Sequence, residues 1–333
     1  MAELENKVNL NYLAFRFRKT NGDAMSMKNI TLKQLRALQA VVSAGSVAGA
    51  AQRLHVTPPA VSLQLKTLEE NVGMSLIERS PDGLRPTQAG GVLLDAIRQI
   101  EGVFKDSSLL LEEMKGMASG SARVGVVSTA KYFAPRALAA FARTHPEIDM
   151  RLQVGNRMDT MQALENYDLD FAIMGRPPNH FEVERSIIGP HPHIVICPPD
   201  HPLTGRRDLR PADLAHETFL MREKGSGTRA LTEKLIAKLD IEPRIGMEIG
   251  SNETIKQAVM AGLGIALISA HTTAWELREG RLGVIHAPGL PIERQWYVVR
   301  RKEKRMMPAA EALWEFMAAQ GAGFLPRMDE LLK

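Results

Sequence analysis

Residues 87–117 contain no proline, and their apolar side chains recur at regular steps. Leu93, Ile97, Ile100, Phe104, Leu111 and Met114 alternate intervals of four and three, with Ser107 as the one polar interruption. That spacing predicts a single long helix carrying a heptad seam. Alone, such a helix would hold its seam against water, so these six residues are expected to dimerise the chain rather than pack on its own core. The helix also divides the chain into a unit before it and a unit after it, with the small residues at 116–120 as the hinge.

The unit before it, residues 28–90, reads as three short helices and a hairpin. Leu32, Leu35, Leu38, Val41 and Val42 form one apolar stripe, and Gly45 ends that helix. Ser46 stands as N-cap of a second helix over 47–54, where Ala50 and Ala51 let a neighbour cross closely. His55 and Val56 make the turn, Thr57 caps a third helix, and Pro58 occupies its first turn, where a missing N–H costs nothing. Two helices joined by so short a turn form a helix-turn-helix, whose second helix enters the major groove of double-stranded DNA. On that reading Ser46, Thr57, Pro58, Pro59, Ser62 and Gln64 face or flank DNA and Lys66 reaches a phosphate. Ala60, Val61, Leu65 and Leu68 face the core. An ordinary three-helix bundle would share this spacing, but residues 75–86 add two short strands around Pro81-Asp82-Gly83, a wing with Arg79 and Arg85 on its sides. The segment holds seven Lys/Arg against four acids, so most of the chain's net charge of +4 sits where DNA would lie.

Beyond residue 121 the pattern becomes alternating strands and helices. Strands are expected at 123–127, 150–154, 169–174, 193–197, 218–221, 244–249, 264–269 and 295–300, and helices at 135–144, 158–166, 228–239, 252–261 and 307–320. This is an α/β core, in which a ligand gathers where strand ends meet helix N-termini. Four junctions share one chemistry of small, hydroxyl and amide residues: Ser128-Thr129, Gly155-Asn156-Arg157, the run from Gly225 to Arg229, and Gly250-Ser251-Asn252. Each is also what an ordinary capped helix looks like. Their convergence on one cleft would make an anion site of Ser128, Thr129, Asn156, Arg157, Arg176, Arg222, Thr228, Arg229 and Asn252, with Lys224 close by.

Several chemistries are disfavoured. No apolar run is long enough for a membrane span, and no signal peptide opens the chain, so a cytoplasmic protein is expected. Cys197, the single cysteine, lies in an apolar strand and reads as a buried hydrophobe. His191, His193 and His201 lack the carboxylate or thiolate partners that would close a metal site. No resident cofactor is expected. Phosphate-binding loops, dinucleotide fingerprints and nucleophile elbows are all missing, which argues against an enzyme. An α/β enzyme that binds an organic acid or phosphate remains the alternative, set apart by its lack of need for residues 28–90.

The N-terminal motifs resemble a known family. Gly45-Ser46, Ala50-Ala51, Leu54, the run from Val56 to Ser62, Leu68-Glu69, Gly73, Arg79 and Thr87-Gln88-Ala89-Gly90 are similar to the signature of LysR-type transcriptional regulators. Two positions depart from it. Thr57-Pro58 replaces a Ser-Gln whose glutamine commonly contacts bases, and Ile77 replaces an aromatic residue; the first bears on base preference. His145-Pro146-Glu147-Ile148, Leu169 to Ile173 and Ala261 to Ala266 resemble the effector domain of the same family. The resemblance implies two linked subdomains like those of periplasmic binding proteins: the first from 121–192 and 295–322, the second from 193–294, with the effector between them. Residues 1–27 are expected to be an extension or an upstream start, and 323–333 a tail. It also implies a homodimer, with dimers pairing into tetramers, and RNA polymerase stands as a further candidate partner. Val154 to Arg157, Ala172 to Pro178, Ser269 to Thr272 and Trp296 to Val299 are similar to the CbbR subfamily, which controls RuBisCO and Calvin-cycle operons. That implies an effector that is a phosphorylated metabolite or NADPH. A LysR-type regulator of another metabolic operon is the nearer alternative.

Overall fold

The computed structural model describes residues 29–114 and 120–328, without the side chains of 109 and 112–114. The expected N-terminal extension, most of the hinge, the end of the tail and the side chain of Met114 therefore lie outside the described residues. The chain divides into two compact units at Ile97/Arg98.

In the first unit, α1 (Leu32–Ala44), α2 (Val47–Leu54) and α3 (Pro58–Val72) precede β1 (Ile77–Ser80) and β2 (Gly83–Pro86). Thr31 and Gln34 form a reciprocal capping box at the start of α1, and the Ser46 hydroxyl accepts from the Gly49 N–H at 3.1 Å. Thr57 holds the N-cap position of α3, but its side chain makes no capping bond. The strands pair antiparallel, with Glu78 opposite Arg85 and Arg79 opposite Leu84. Gly83 carries φ +115, and a Cβ there would lie 2.7 Å from the Gly45 carbonyl oxygen. The Leu84 N–H donates to that same oxygen at 2.9 Å, which moors the wing to the end of α1.

The long helix α4 runs Gln88–Met114. Its opening turns belong to the first unit: Leu93, Leu94 and Ile97 are buried with Leu38, Leu68 and Leu76. At Gly90 a Cβ would come within 2.0 Å of the Leu76 carbonyl oxygen, so only glycine lets the helix sit this close. This corrects the heptad reading. Leu93 and Ile97 are core residues of their own unit, because the start of α4 is the fourth wall of the helix-turn-helix. Ile100, Phe104 and Leu111, by contrast, are exposed, and Val92, Val103 and Leu110 are exposed with them.

The second unit is α/β. β3 (Ser121–Val127), α5 (Ala134–Thr144), β4 (Asp149–Gly155), α6 (Arg157–Glu165), β5 (Phe171–Met174) and β6 (Val183–Pro190) come first. β7 (His193–Cys197), α7 (Pro211–Ala215), β8 (Thr218–Arg222), α8 (Gly227–Leu239), β9 (Arg244–Ile249), α9 (Asn252–Met260), β10 (Ala266–Ser269), α10 (Ala274–Arg278) and β11 (Gly283–Ile285) follow, before β12 (Gln295–Arg301) and α11 (Pro308–Gln320). One sheet has the order β4-β3-β5-β12-β6, parallel among its first three strands and antiparallel across β12. A second has the order β10-β7-β11, and β8 pairs with β9, with a bridge from Phe219 to Ile265 linking β8 to the β10 approach. The chain leaves the first sheet after Pro190 and rejoins it at Gln295. The first sheet buries Phe133, Phe141, Phe171, Trp296 and Leu313 beneath its helices.

The second half of α4 is tied to this unit by charge. Arg98 pairs with Glu165 at 3.0 Å, Lys105 with Asp168 at 2.9 Å, and Asp106 with Arg123 at 2.7 Å. Arg123 continues inward to Asp170 at 2.8 Å, and Lys304 reaches the same carboxylate at 2.9 Å. Burial raises the Asp170 pKa, but Lys304 and Arg123 outweigh it and hold the carboxyl below its usual value.

Candidate functional site

On the first unit, Thr57, Pro58, Pro59, Ser62 and Lys66 are exposed along the start of α3, and Gln64 is half-buried beside them. Val61, Leu65 and Leu68 point the other way into the core. Because the Thr57 hydroxyl caps nothing, it is free for a partner, whereas the Ser46 oxygen is committed to its cap. Lys66 lies 3.8 Å from Glu70, an exposed pair that holds it weakly. On the wing Arg85 pairs with Asp82, while exposed Arg79 makes no ion pair among the described residues. A helix of small and hydroxyl side chains flanked by an unpaired arginine is suited to a groove edge and its phosphates.

The second unit contains a cavity of about 610 Å³ between its two sheet systems. Seven of the nine expected residues line it: Ser128, Thr129, Asn156, Arg157, Arg176, Thr228 and Arg229. Arg222 and Asn252 do not. Arg222 is buried, pairs with Glu223 at 2.7 Å and bonds Asn252; its Nη2 donates to the Ser128 Oγ at 3.3 Å, and the Asn252 amide donates to the same oxygen at 3.4 Å. These two are positioning residues behind Ser128. The fourth junction thus stands behind the wall of the cavity, not in it.

The helix ends differ in what they offer. At α6 the Asn156 Oδ1 accepts from the Asp159 N–H at 3.0 Å and the Asp159 carboxylate accepts from the Asn156 N–H at 3.2 Å, so that end is already capped. At α9, Ser251 caps with its own hydroxyl. At α8 no side chain caps: Ser226 sits at the N-cap without a capping bond, and Gly227, Thr228 and Arg229 open the helix at the cavity wall. Two cradles in the sequence pattern are therefore spent, and one is open to an anion.

The arginines differ too. Arg229 is paired with Glu233 at 2.8 Å and Glu248 at 2.5 Å, and those bonds raise its pKa. Arg157 has no carboxylate. Its Nε is buried without a partner, and its Nη2 reaches only the Pro177 carbonyl oxygen at 3.5 Å. Burial, then repulsion from Arg176 and Arg294, lowers its pKa. Arg157, Arg176 and Arg294 line one cavity and none of them makes an ion pair among the described residues, so their charge is available to an anion.

Sequence reasoning missed Arg294 and set His191 and His193 aside after rejecting a metal, yet all three line the cavity with Ser226 of the third junction. Among the described residues no group of three His, Cys, Asp or Glu could hold a metal ion. His201 pairs instead with Glu217 at 3.3 Å. Cys197 is a buried thiol whose pKa burial pushes up. Among the described residues no helix is long and apolar enough to cross a membrane.

Comparison with known proteins matches both units. Residues 32–91 match the bacterial regulatory helix-turn-helix protein, lysR family, and residues 115–322 match the LysR substrate binding domain. The chain is 52% identical over 300 residues to the HTH-type transcriptional regulator CbbR of Xanthobacter flavus, covering 90% of each. It is 42% identical over 294 residues to the RuBisCO operon transcriptional regulator of Allochromatium vinosum, covering 88% of this chain and 97% of that protein. Among solved structures, the regulatory domain of Synechocystis PCC6803 CcmR in complex with 2-PG is similar at 34% identity and a TM-score of 0.58, covering 60% of this chain and 96% of that one. A winged reader of DNA joined by a long helix to an effector core is a regulator and not an enzyme, and this chain belongs to the LysR family of bacterial transcriptional regulators.

Proposed function

We propose that this chain governs carbon-fixation operons, that of RuBisCO among them, and that a phosphorylated metabolite in the cavity of the second unit sets its hold on operator DNA. The observation that carries the ligand class is Arg157, without a carboxylate partner among the described residues, lining one cavity with Arg176, Arg294 and the uncapped start of α8. An arginine fork takes phosphate bidentately, and an open helix end adds N–H donors. Relatives named as regulators of the RuBisCO operon and a similar domain solved with 2-PG support the same reading. NADPH would present the same phosphate chemistry to these arginines.

The protein would act in the cytoplasm as a homodimer, with dimers pairing further. The exposed stripe of Ile100, Val103, Phe104, Leu110 and Leu111 is apolar surface of the kind a second copy covers, and paired readers suit paired half-sites on double-stranded DNA. RNA polymerase would be met at the promoter. Ligand regulates by binding two conformations of the regulator unequally.

The test is a thermal-shift screen of Calvin-cycle phosphates, 2-phosphoglycolate and NADPH, followed by operator gel shifts with the compounds that raise the melting temperature. Arg157→Ala should cost about 1.5–3 kcal/mol of ligand affinity, roughly tenfold to a hundredfold, while leaving operator binding without ligand intact. Arg176→Ala should behave alike. Arg229→Ala should cost less, because Glu233 and Glu248 already hold that charge. A screen in which only neutral or apolar compounds stabilise the protein would sink the reading.

A further inference from the structure

Beside the arginines the cavity has a group of opposite hydrogen-bonding character. His193, at the start of β7, is 3% exposed and lines the cavity. Its Nδ1 lies 3.2 Å from the His191 carbonyl oxygen. A carbonyl can only accept, so Nδ1 carries the ring proton and Nε2 of the neutral imidazole is a bare lone pair. Nε2 makes no hydrogen bond with any described residue. Around it stand Arg294 on the approach to β12, His191 ahead of its own strand and His271 after β10, and no carboxylate is ion-paired to it. Burial and then Arg294 and His271 push its pKa down, against a raising bond from His191, to about 3. Arg294 is also a cation that repels Arg157, and His193, Arg157, Arg176 and Arg294 all line the same cavity.

We propose that His193 is a specificity-determining residue of the effector site, an acceptor that requires the bound anion to bring a proton. The inference rests on the phosphate reading above and narrows it. Phosphate can meet the requirement by keeping one P–OH, which donates to Nε2 while its other oxygens accept from Arg157, Arg176 and Arg294. Sulfate, a full dianion with no proton, presents an oxygen lone pair to a nitrogen lone pair. The complex holds one proton on the line between Nε2 and the ligand oxygen, whichever atom it sits nearer. Above the pH at which free phosphate loses its second proton, binding must therefore draw a proton from solvent, and affinity falls with rising pH by a factor approaching about ten per unit.

Calorimetry on the full-length protein tests this with inorganic phosphate and sulfate as probes, each titrated in two buffers of unlike ionisation enthalpy. Expected are proton uptake approaching one per site for phosphate at alkaline pH, and at least tenfold weaker binding of sulfate. This measurement needs no substitution and so does not depend on a variant folding. His193→Gln, whose amide can turn to donate, should bind sulfate better and lose the proton uptake, with a thermal melt confirming the fold. Phosphate binding without proton uptake, or sulfate binding as well as phosphate, overturns the role of His193 and leaves the phosphate reading standing. If neither anion binds at millimolar concentration, the arginine cluster is no anion site and both readings fall.

Discussion

Arginine does opposite work in the two units. On the wing, Arg79 is exposed and unpaired among the described residues, in water that already solvates it. Inside the second unit Arg123 is buried and Arg157 half-buried, and they part ways there. Arg123 is repaid by Asp106 and Asp170, while Arg157 pairs with no carboxylate among the described residues and reaches only the Pro177 carbonyl oxygen. The difference teaches where to look for a ligand. A solvated cation contributes to binding through the ions it releases, a buried paired cation contributes to the fold, and only a buried unpaired one implies a missing anion.

The largest expected effect separates the second and third cases. Asp170→Ala should take from Lys304 its nearest carboxylate and leave Arg123 with Asp106 alone, at a cost of about 3–5 kcal/mol. Denaturant unfolding of the full-length protein should show the second unit weakened, with the transition of the winged helix-turn-helix unchanged. If Asp170→Ala cost less than Arg157→Ala in stability, the division between structural and ligand-seeking arginines would be wrong.

The next sharpens the correction along α4. Ile97→Ala removes side-chain volume from the core shared with Leu38 and Leu76, and a cost of about 2–5 kcal/mol to the first unit is expected. Val103→Asp should leave that core intact, since Val103 is exposed, yet place a charge in the stripe proposed to pair two copies. Light scattering should then report monomers that melt like the parent. A stable dimer in Val103→Asp would move the interface off this face of the helix.

That helix shows how far the residues alone reach. The heptad period gave its existence and length, because spacing along a helix is a local property. It did not tell which residues of the series face a partner, since the turns at Leu93 and Ile97 are claimed by the wing and helices packed against them. The winged helix-turn-helix was legible almost throughout for the same local reason, its caps, proline and turn glycine being read from neighbours in sequence. In the second unit the main strands and helices were readable, but β6 (Val183–Pro190) was not: much of that edge strand faces water, and its polar residues break the apolar pattern. The cavity was half legible. Ser128, Asn156 and Thr228 announce helix ends, but whether an end is capped or open depends on Asp159, Ser226 and Ser251, and Arg294 sits on a loop with no periodic signal. Nor could the chain reveal that Arg222 and Asn252 turn their donors to Ser128 instead of to a ligand, since those groups meet from 94 and 124 positions away.

The smallest expected effect lies on the solvated arginine. Arg79 touches no acid among the described residues, so Arg79→Ala should leave stability within about 0.5 kcal/mol, as surface changes usually do. Its effect belongs to DNA alone. A side chain that neutralises one phosphate releases about one condensed counterion, so the slope of log affinity against log salt should flatten by roughly one, equally for operator and random DNA. Ser62→Ala, on the exposed face of α3, should do the converse, leaving the salt slope alone and altering the ranking of operators by about 1–3 kcal/mol if its hydroxyl meets a base edge. The two substitutions test one claim from both sides, that the wing holds the backbone while the helix reads the groove. An Arg79→Ala protein with an unchanged salt slope would place the wing off the phosphates, and the exposure of its arginine would then be that of any surface charge.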